Sequence, residues 1–170
     1  YEAIKLFVTD VTRSELDEAE SQRAVTIITF TTNLEHIGDI VDKNLMELAT
    51  KKIRNRLVFS DEDWRDTCDL HEAVVENLRL ALSAFVSGDV KSARMLLEKK
   101  ARFGELERAA GERHLERLRR GKPESIESSP LHVDILRDLK RINSHVTSVA
   151  YSILDNAGEL RPPRFKQLGA

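Results

Sequence analysis

The sequence predicts an all-α protein, an antiparallel bundle of long helices without a sheet. Apolar residues recur at steps of three and four along several long stretches, which places them on one face of a helix. Glycine and proline are scarce, at seven and four residues, while 33% of the 170 residues are charged and 5% are aromatic. These proportions favour amphipathic helices around an aliphatic core.

Composition also excludes several functional classes. A net charge of −2 argues against a general nucleic-acid binder. The single cysteine, Cys68, rules out an internal disulfide and a cysteine zinc site, and it fits a reducing compartment. The sequence shows neither a signal peptide nor an apolar run near the roughly 18 residues that span a bilayer. Because an apolar helical pattern is already under way at Tyr1, we expect the chain to be a piece of a longer protein.

The first half of the chain predicts two helices. Residues 1–11 read as the end of a short helix, and Ser14 is a candidate N-cap for a second helix over about 15–54. The predicted core positions of this second helix are Ile27, Phe30, Leu34, Ile37, Val41, Leu45 and Leu48.

A third helix is predicted from an N-cap at Ser60 to about Val86. Its apolar positions are Trp64, Cys68, His71, Val75, Leu78, Leu82 and Phe85. We interpret His71 as a histidine at the edge of the core rather than as a ligand.

The rest of the chain predicts two more long helices. Asp89 is the N-cap of a helix that ends near residue 120, before Gly121. Ser129 and Pro130 suit the start of a last helix, which Gly158 ends. The core positions of that last helix are Ile135, Leu139, Ile142, Val146, Val149 and Ile153.

Charge is distributed unevenly between these helices. Residues 89–122 carry eleven basic and six acidic residues, whereas residues 14–42 carry one basic and seven acidic residues. The two segments therefore differ in net charge, +5 against −6. Two solvated faces would explain this, and so would a basic helix that packs against the acidic one or contacts an anionic surface.

An acidic strip marks the centre of the second helix. Glu35 and Asp39 are four residues apart and share one helix face, and Asp42 continues the strip. Gly38 lies between them, although an interior glycine costs about 1 kcal/mol relative to alanine, so we expect a close approach to the backbone there. Such a strip can bind a cation, pair with a basic helix or face water.

The segment Leu34-Glu35-His36-Ile37-Gly38-Asp39 resembles the "LERIGD" signature of the PhoU family of phosphate-signalling proteins, which consist of two three-helix repeats. The segment from Asp138 to His145, DLKRINSH, is similar to the PhoU-like C-terminal domain of bacterial type II sodium/phosphate cotransporters. This resemblance implies a PhoU-like (spectrin-like) bundle over residues 1–160, with the N-terminal helices of the first repeat truncated. Residues 161–170 are predicted to form a flexible tail.

The resemblance also implies a metal site, since PhoU proteins bind iron or zinc clusters through a Glu/Asp-x-x-x-Asp motif in each repeat. Glu35 and Asp39 match that motif, with Asp42 as a flanking acid, whereas Lys140 and Ser144 replace both acids in the second repeat. The alternative is a structural role, in which Glu35 and Asp39 pair with basic side chains of the +5 helix. The candidate partners are Arg94, Lys99 and Arg102.

From this resemblance we expect a non-catalytic regulatory or interaction domain of a sodium-dependent phosphate transporter, at the cytoplasmic face of the inner membrane. The alternative is a soluble PhoU-type regulator that binds metal and contacts a phosphate transporter or a sensor kinase. A di-iron-like metalloenzyme is disfavoured because no Glu-x-x-His element occurs in the sequence. We also expect a homodimer, formed through an apolar groove along Ile27, Phe30 and Leu34, and no nucleic-acid partner.

Overall fold

Residues 2–11 and 16–160 are described by the computed structural model, apart from the side chains of Lys5 and Val11. Helices account for nearly all of these residues and no strand occurs among them, so the all-α prediction is confirmed. The helices are α1 (Glu2–Val11), α2 (Glu18–Asp39), a π-helix (Ile40–Leu45), α3 (Met46–Arg54), α4 (Asp61–Ser87), α5 (Val90–Arg119), α6 (Pro123–Thr147) and α7 (Val149–Asn156). The candidate cap Ser14 and the predicted tail, residues 161–170, lie outside the described residues.

Helices α4, α5 and α6 pack against one another and form the centre of the bundle. Helix α2 lies along α6 and α7, and α7 continues α6 against α5. Most of the core is one aliphatic cluster, which includes Leu70, Leu96, Leu139 and Val146. A smaller apolar cluster of Leu48, Phe59 and Leu131 lies where α3, α4 and α6 meet.

The helix ends follow local capping chemistry. Ser60 and Asp89 cap α4 and α5 as predicted, and Gly88, Gly121 and Gly158 adopt positive φ just after helix ends. Helix α2 begins at Glu18 rather than at about residue 15. The Asp17 side chain accepts a hydrogen bond from the Glu20 N–H, and the Glu20 carboxylate accepts one from the Asp17 N–H. This capping box fixes the first turn of α2.

The start of the last helix is a correction. Helix α6 begins at Pro123, which occupies the first helical position, so the predicted start at Ser129 and Pro130 is wrong. Pro130 lies inside α6. Five of the six predicted core positions of α6 and α7 are buried, and the sixth, Ile135, is partly buried against the core. The five are Leu139, Ile142, Val146, Val149 and Ile153.

The predicted apolar face of α4 is rotated away from the face that is buried. Trp64 and Leu82 are exposed by 55% and 43%, and His71 is exposed rather than at the core edge. The buried positions of α4 are Asp63, Asp66, Thr67, Leu70, Val74, Asn77, Ala81 and Ala84. Half of these side chains are polar, so the buried face carries no continuous apolar signal.

The π-helix shifts the buried face of the second predicted helix. Phe30 and Ile40 are buried, whereas the predicted core residues Leu34 and Val41 are 36% and 43% exposed. A π turn contains about one extra residue, and the next core position after Ile40 is accordingly Leu45, five residues on. Phe30 stacks on Phe85 of α4 with ring centroids 4.5 Å apart, so it is not part of an open groove.

The surroundings of Gly38 show whether another element approaches its backbone closely enough to require glycine, as the sequence led us to expect. A Cβ added at Gly38 meets no atom of another element within 4 Å, whereas Gly88 has a φ of +67°. We expect Gly38→Ala to raise the free energy of unfolding by about 0.5–1 kcal/mol and Gly88→Ala to lower it by about 1 kcal/mol. Urea denaturation followed by circular dichroism measures both. A destabilised Gly38→Ala protein would show that a contact requires glycine there.

Candidate functional site

The predicted acidic strip lies on α2 and the π-helix and is largely open to solvent. Lys43 Nζ lies 2.8 Å from Asp39 Oδ1, and this hydrogen bond raises the pKa of Lys43. Among the described residues, Glu35, Asp39 and Asp42 belong to no group of three side chains with metal-ligand geometry. A metal ion at Glu35 and Asp39 stays a prediction, and the ammonium group on Asp39 does not favour it.

The predicted ion pairs between this strip and α5 are wrong for Arg94 and Lys99, two of the three basic residues proposed as partners. Arg94 pairs with Glu159, and Lys99 Nζ pairs with Glu76 Oε2 at 2.9 Å. The basic residues of α5 therefore neutralise acids on α4 and after α7. The reason is topological, since α5 packs on α4, α6 and α7.

The two segments that resemble PhoU signatures face each other across α2 and α6. His145 Nδ1 donates to Asn33 Oδ1 at 2.7 Å, and the rings of His36 and His145 lie 5.2 Å apart. Burial, and then the charges of His36 and Arg141, lower the pKa of His145. A polar pocket of about 410 Å³ lies beside this contact, lined by His36, Asp39, Ile40, Lys43, Asn44, Arg141 and His145.

A second polar site is buried between α4, α5 and α6, and its centre is the carboxylate of Asp63. Asp63 has no exposed surface. Its Oδ1 accepts hydrogen bonds from His114 Nδ1 at 2.8 Å and from Arg117 Nε and Nη2 at 3.0 and 2.7 Å. Its Oδ2 accepts from the hydroxyls of Ser60 at 2.6 Å and Ser125 at 2.5 Å. Both carboxylate oxygens are thus paired with donors, which come from α5, from α6 and from the cap of α4.

Asp66 extends this network by one helical turn. Arg117 Nη2 donates to Asp66 Oδ2 at 2.8 Å, and Arg113 donates to Asp66 Oδ1 through Nε at 3.0 Å and Nη2 at 2.5 Å. Two carboxylates and two guanidinium groups therefore balance in charge. Arg117 bridges Asp63 and Asp66 and is itself buried.

These contacts determine which groups are ionised. Burial raises the pKa of Asp63, but hydrogen bonds from Ser125, Ser60, His114 and Arg117 outweigh it and hold that pKa well below its ordinary value. Burial lowers the pKa of His132 to about 4, with the negative charge of Asp63 opposing this shift. At neutral pH Asp63 is an anion and His132 is neutral.

His114 also makes the contacts of a Ser-His-Asp triad. Its Nδ1 faces Asp63, and its Nε2 lies 2.8 Å from the hydroxyl of Ser129. Acyl transfer additionally requires backbone donors for an oxyanion. Ser129 lies inside α6, where backbone N–H groups bond within the helix, and the next residue, Pro130, has no N–H. Helix α6 therefore offers no free backbone N–H at Ser129 or Pro130 for an oxyanion.

Three side chains of this buried site have the geometry of metal ligands. One ligand atom each of Asp63, His114 and His132 lies within 4.8 Å of the other two. From the sequence, Ser60 was predicted only as a helix cap, and none of Asp63, His114 and His132 was predicted as a ligand. The available signal was the run of polar residues on one face of α4, Asp63, Asp66 and Thr67.

Comparison with known proteins identifies the family. The PhoU domain model matches residues 67–153, which cover α4 from its second turn through α5 and α6 into α7. The chain belongs to the PhoU family. The match includes His114 and His132 and begins just after Asp63.

Curated relatives connect the family to phosphate. The chain is 42% identical over 159 residues to an Escherichia coli (strain K12) protein named "Putative inorganic phosphate export protein YjbB". That match covers 94% of this chain and 29% of the relative. The chain is also 26% identical over 133 residues to a Thermotoga maritima protein named "Phosphate-specific transport system accessory protein PhoU homolog 1", covering 76% and 54% of the two chains. No solved structure matches the chain significantly.

These relatives limit how specific the functional assignment can be. The chain spans less than a third of the length of the YjbB relatives. Their printed name specifies phosphate export, so the predicted link to sodium-dependent uptake stays a prediction. No helix among the described residues is long and apolar enough to cross a membrane.

Removing the charge of Asp63 tests how much the buried site contributes to the stability of the fold. We expect Asp63→Asn to lower the free energy of unfolding by about 3–5 kcal/mol, because Arg117 then loses half of its buried pairing. Asp69→Asn, an exposed acid on the same helix, is the matched control and is expected to change stability by less than about 0.5 kcal/mol. Urea denaturation at pH 7 measures both, and equal effects would contradict a central role for Asp63.

The lowered pKa of His132 predicts a pH dependence of stability. Below about pH 6.5 the unfolded chain binds a proton at His132, whereas the folded chain does not until about pH 4. The contribution of neutral His132 is therefore complete above pH 6.5 and is lost as the pH falls to 4, by up to about 3 kcal/mol. In chelator-treated protein, His132→Gln should flatten the curve of unfolding free energy over this window. His71→Gln, which changes an exposed histidine, should leave the slope as in the wild type.

Proposed function

We propose that the chain is a non-catalytic regulatory domain of the PhoU type, which controls movement of inorganic phosphate by contacting a phosphate transport protein. The observation that carries this proposal is the match of 94% of the chain, at 42% identity, to a protein named for inorganic phosphate export. Family membership supports the regulatory part, since the Thermotoga maritima relative is named an accessory protein of a phosphate transport system.

The chemistry of the buried site supports a role without catalysis. Asp63 is occupied by five donor groups, and the Ser129–His114 pair has no oxyanion donors beside it. A group that must act as a base needs a pKa near the working pH, whereas the pKa of Asp63 is far below it. The network is suited to holding three helices in register.

We place the contact with the transport protein on an apolar groove of about 530 Å³ between α3, α4 and α6. Trp64 and Val58 form its exposed rim, at 55% and 63% exposure, and Leu48, Phe59 and Leu131 form its floor. Exposed apolar grooves are typical of interaction sites. The occupant on this proposal is the remainder of the phosphate export protein, since the matched relatives extend well beyond this domain. The domain would then work at the cytoplasmic face of the inner membrane.

The second candidate is a separate PhoU-type regulator that contacts a phosphate transporter or a sensor kinase from solution. The similarity to the Thermotoga maritima accessory protein favours it. A homodimer is compatible with both candidates. Sodium coupling is a narrower hypothesis that the relatives' names do not supply.

A chimera tests the proposal. In Escherichia coli YjbB, the segment that matches this chain is deleted or replaced by this chain, and phosphate efflux is measured from cells loaded with radioactive phosphate. We expect deletion to change the efflux rate and the replacement to restore it. Trp64→Ala in the replacement should weaken the contact about tenfold, because buried tryptophans dominate interfaces.

Val86→Ala is the matched control, since Val86 is 77% exposed but lies outside the groove. Efflux that is the same with and without the segment would contradict the regulatory role. A folded replacement that restores efflux equally with and without Trp64 would contradict the assignment of the groove and favour a partner in solution.

A further inference from the structure

One buried nitrogen in the polar site between α4, α5 and α6 has no hydrogen-bond partner. His132 is fully buried, and its Nε2 has no hydrogen-bond partner among the residues that the structure describes. Asp63 Oδ1 lies 3.4 Å from this nitrogen. A buried polar atom without a partner costs roughly 1–3 kcal/mol, so its presence requires an explanation.

The contacts of Thr67 determine which ring nitrogen of His132 carries the proton. The single hydroxyl proton of Thr67 is donated to the carbonyl oxygen of Asp63 at 2.9 Å. Thr67 Oγ1 can then only accept from His132 Nδ1, which lies 3.4 Å away. His132 Nε2 is then unprotonated and lies 3.4 Å from Asp63 Oδ1, and two acceptors this close repel unless a cation binds both.

We propose that Asp63 Oδ1, His114 Nδ1 and His132 Nε2 bind one divalent transition-metal ion of the zinc type. The three residues come from α4, α5 and α6, and one ligand atom of each lies within 4.8 Å of the other two. His114 Nδ1 and His132 Nε2 lie 2.8 and 3.4 Å from Asp63 Oδ1. Two imidazole nitrogens and one carboxylate oxygen are a three-ligand set that suits Zn²⁺ and leaves a fourth position open. This site is separate from the Glu35–Asp39 strip, and the inference does not depend on the regulatory role proposed above.

The neighbouring groups are arranged to orient these ligands. Ser60 and Ser125 both hold Asp63 Oδ2, which leaves Oδ1 as the oxygen that faces the histidines. When His114 Nδ1 binds the metal, its proton resides on Nε2, which donates to the Ser129 hydroxyl 2.8 Å away. Thr67 accepts from His132 in the same way. Metal-binding histidines almost always have such a partner on their second nitrogen.

Arg117 is the group that competes with the metal. Its Nε and Nη2 lie 3.0 and 2.7 Å from Asp63 Oδ1, so a metal ion must displace the guanidinium from that oxygen. Asp66 accepts from the same Nη2 at 2.8 Å and can retain Arg117 after the displacement. Metal binding is therefore an exchange of partners at Asp63, and removal of Arg117 should strengthen it.

The test is a zinc titration of chelator-stripped protein, with the affinity measured by competition against a chromophoric chelator and the stoichiometry by mass spectrometry. We expect one equivalent of Zn²⁺ in the wild type and a loss of affinity of more than about 100-fold in His114→Gln and His132→Gln, since even outer partners are worth 10–100-fold. Arg117→Gln should bind zinc more tightly than the wild type. Cobalt(II) should give the visible absorption of a low-coordinate nitrogen and oxygen site.

Two controls make the outcome decisive. His71→Gln removes an exposed histidine and should leave binding unchanged. Glu35→Gln/Asp39→Asn removes the acidic strip and should retain the equivalent of zinc that His114→Gln and His132→Gln lose. Zinc that is lost only in the acidic-strip variant, or an absence of stoichiometric binding in both the wild type and Arg117→Gln, would overturn the proposal. Circular dichroism confirms that each variant is folded, and the wild-type cobalt spectrum decides the matter if a histidine variant is not.

Discussion

The need to pair one buried carboxylate constrains the whole bundle. Asp63 lies at the start of α4 without exposure to water, so its charge is tolerated only where donors surround it. Those donors come from the cap of α4, from α5 and from α6. Sliding any one of these helices by a turn would strip Asp63 of part of its pairing, whereas an aliphatic core tolerates repacking. The polar site therefore specifies the alignment of the three central helices.

Polar and apolar contacts contribute differently along the bundle. The aliphatic cluster around Leu70, Leu96 and Val146 supplies most of the buried apolar surface. Asn77 Nδ2 donates to Asn143 Oδ1 at 2.7 Å within this region, which gives the α4–α6 contact a second fixed point. The Asp63 site lies at one end, next to the groove with Trp64 on its rim. Any partner seated in that groove would thus contact the part of the bundle whose geometry is most strictly determined.

Much of the architecture was predictable from local rules. Caps at Ser60 and Asp89, the glycine after α5 and the core face of α6 each depend on neighbouring residues only, and the structure confirms them. The face of α4 was not predictable in this way. Its buried positions are filled by aspartate and asparagine, which become acceptable only through hydrogen-bond partners far away in the sequence. Arg117 donates to Asp63, and Asn143 accepts from Asn77. The same reason hid His114 and His132, because histidine on a single helix says nothing about what lies across from it. Glu35 and Asp39 were conspicuous in the sequence because their spacing is local, and the structure gives them local partners.

The π-helix between α2 and α3 inserts one extra residue between two regular helical segments. That residue corresponds to about 100° of rotation and 1.5 Å of rise. Such a defect cannot relax in place, because both flanking segments are anchored, through Phe30 on one side and Leu48 on the other. Moving the extra residue along the helix would change which side chains face the core. The π-helix consequently fixes the angle about the helix axis between the acidic strip and the side of α3 that lines the groove.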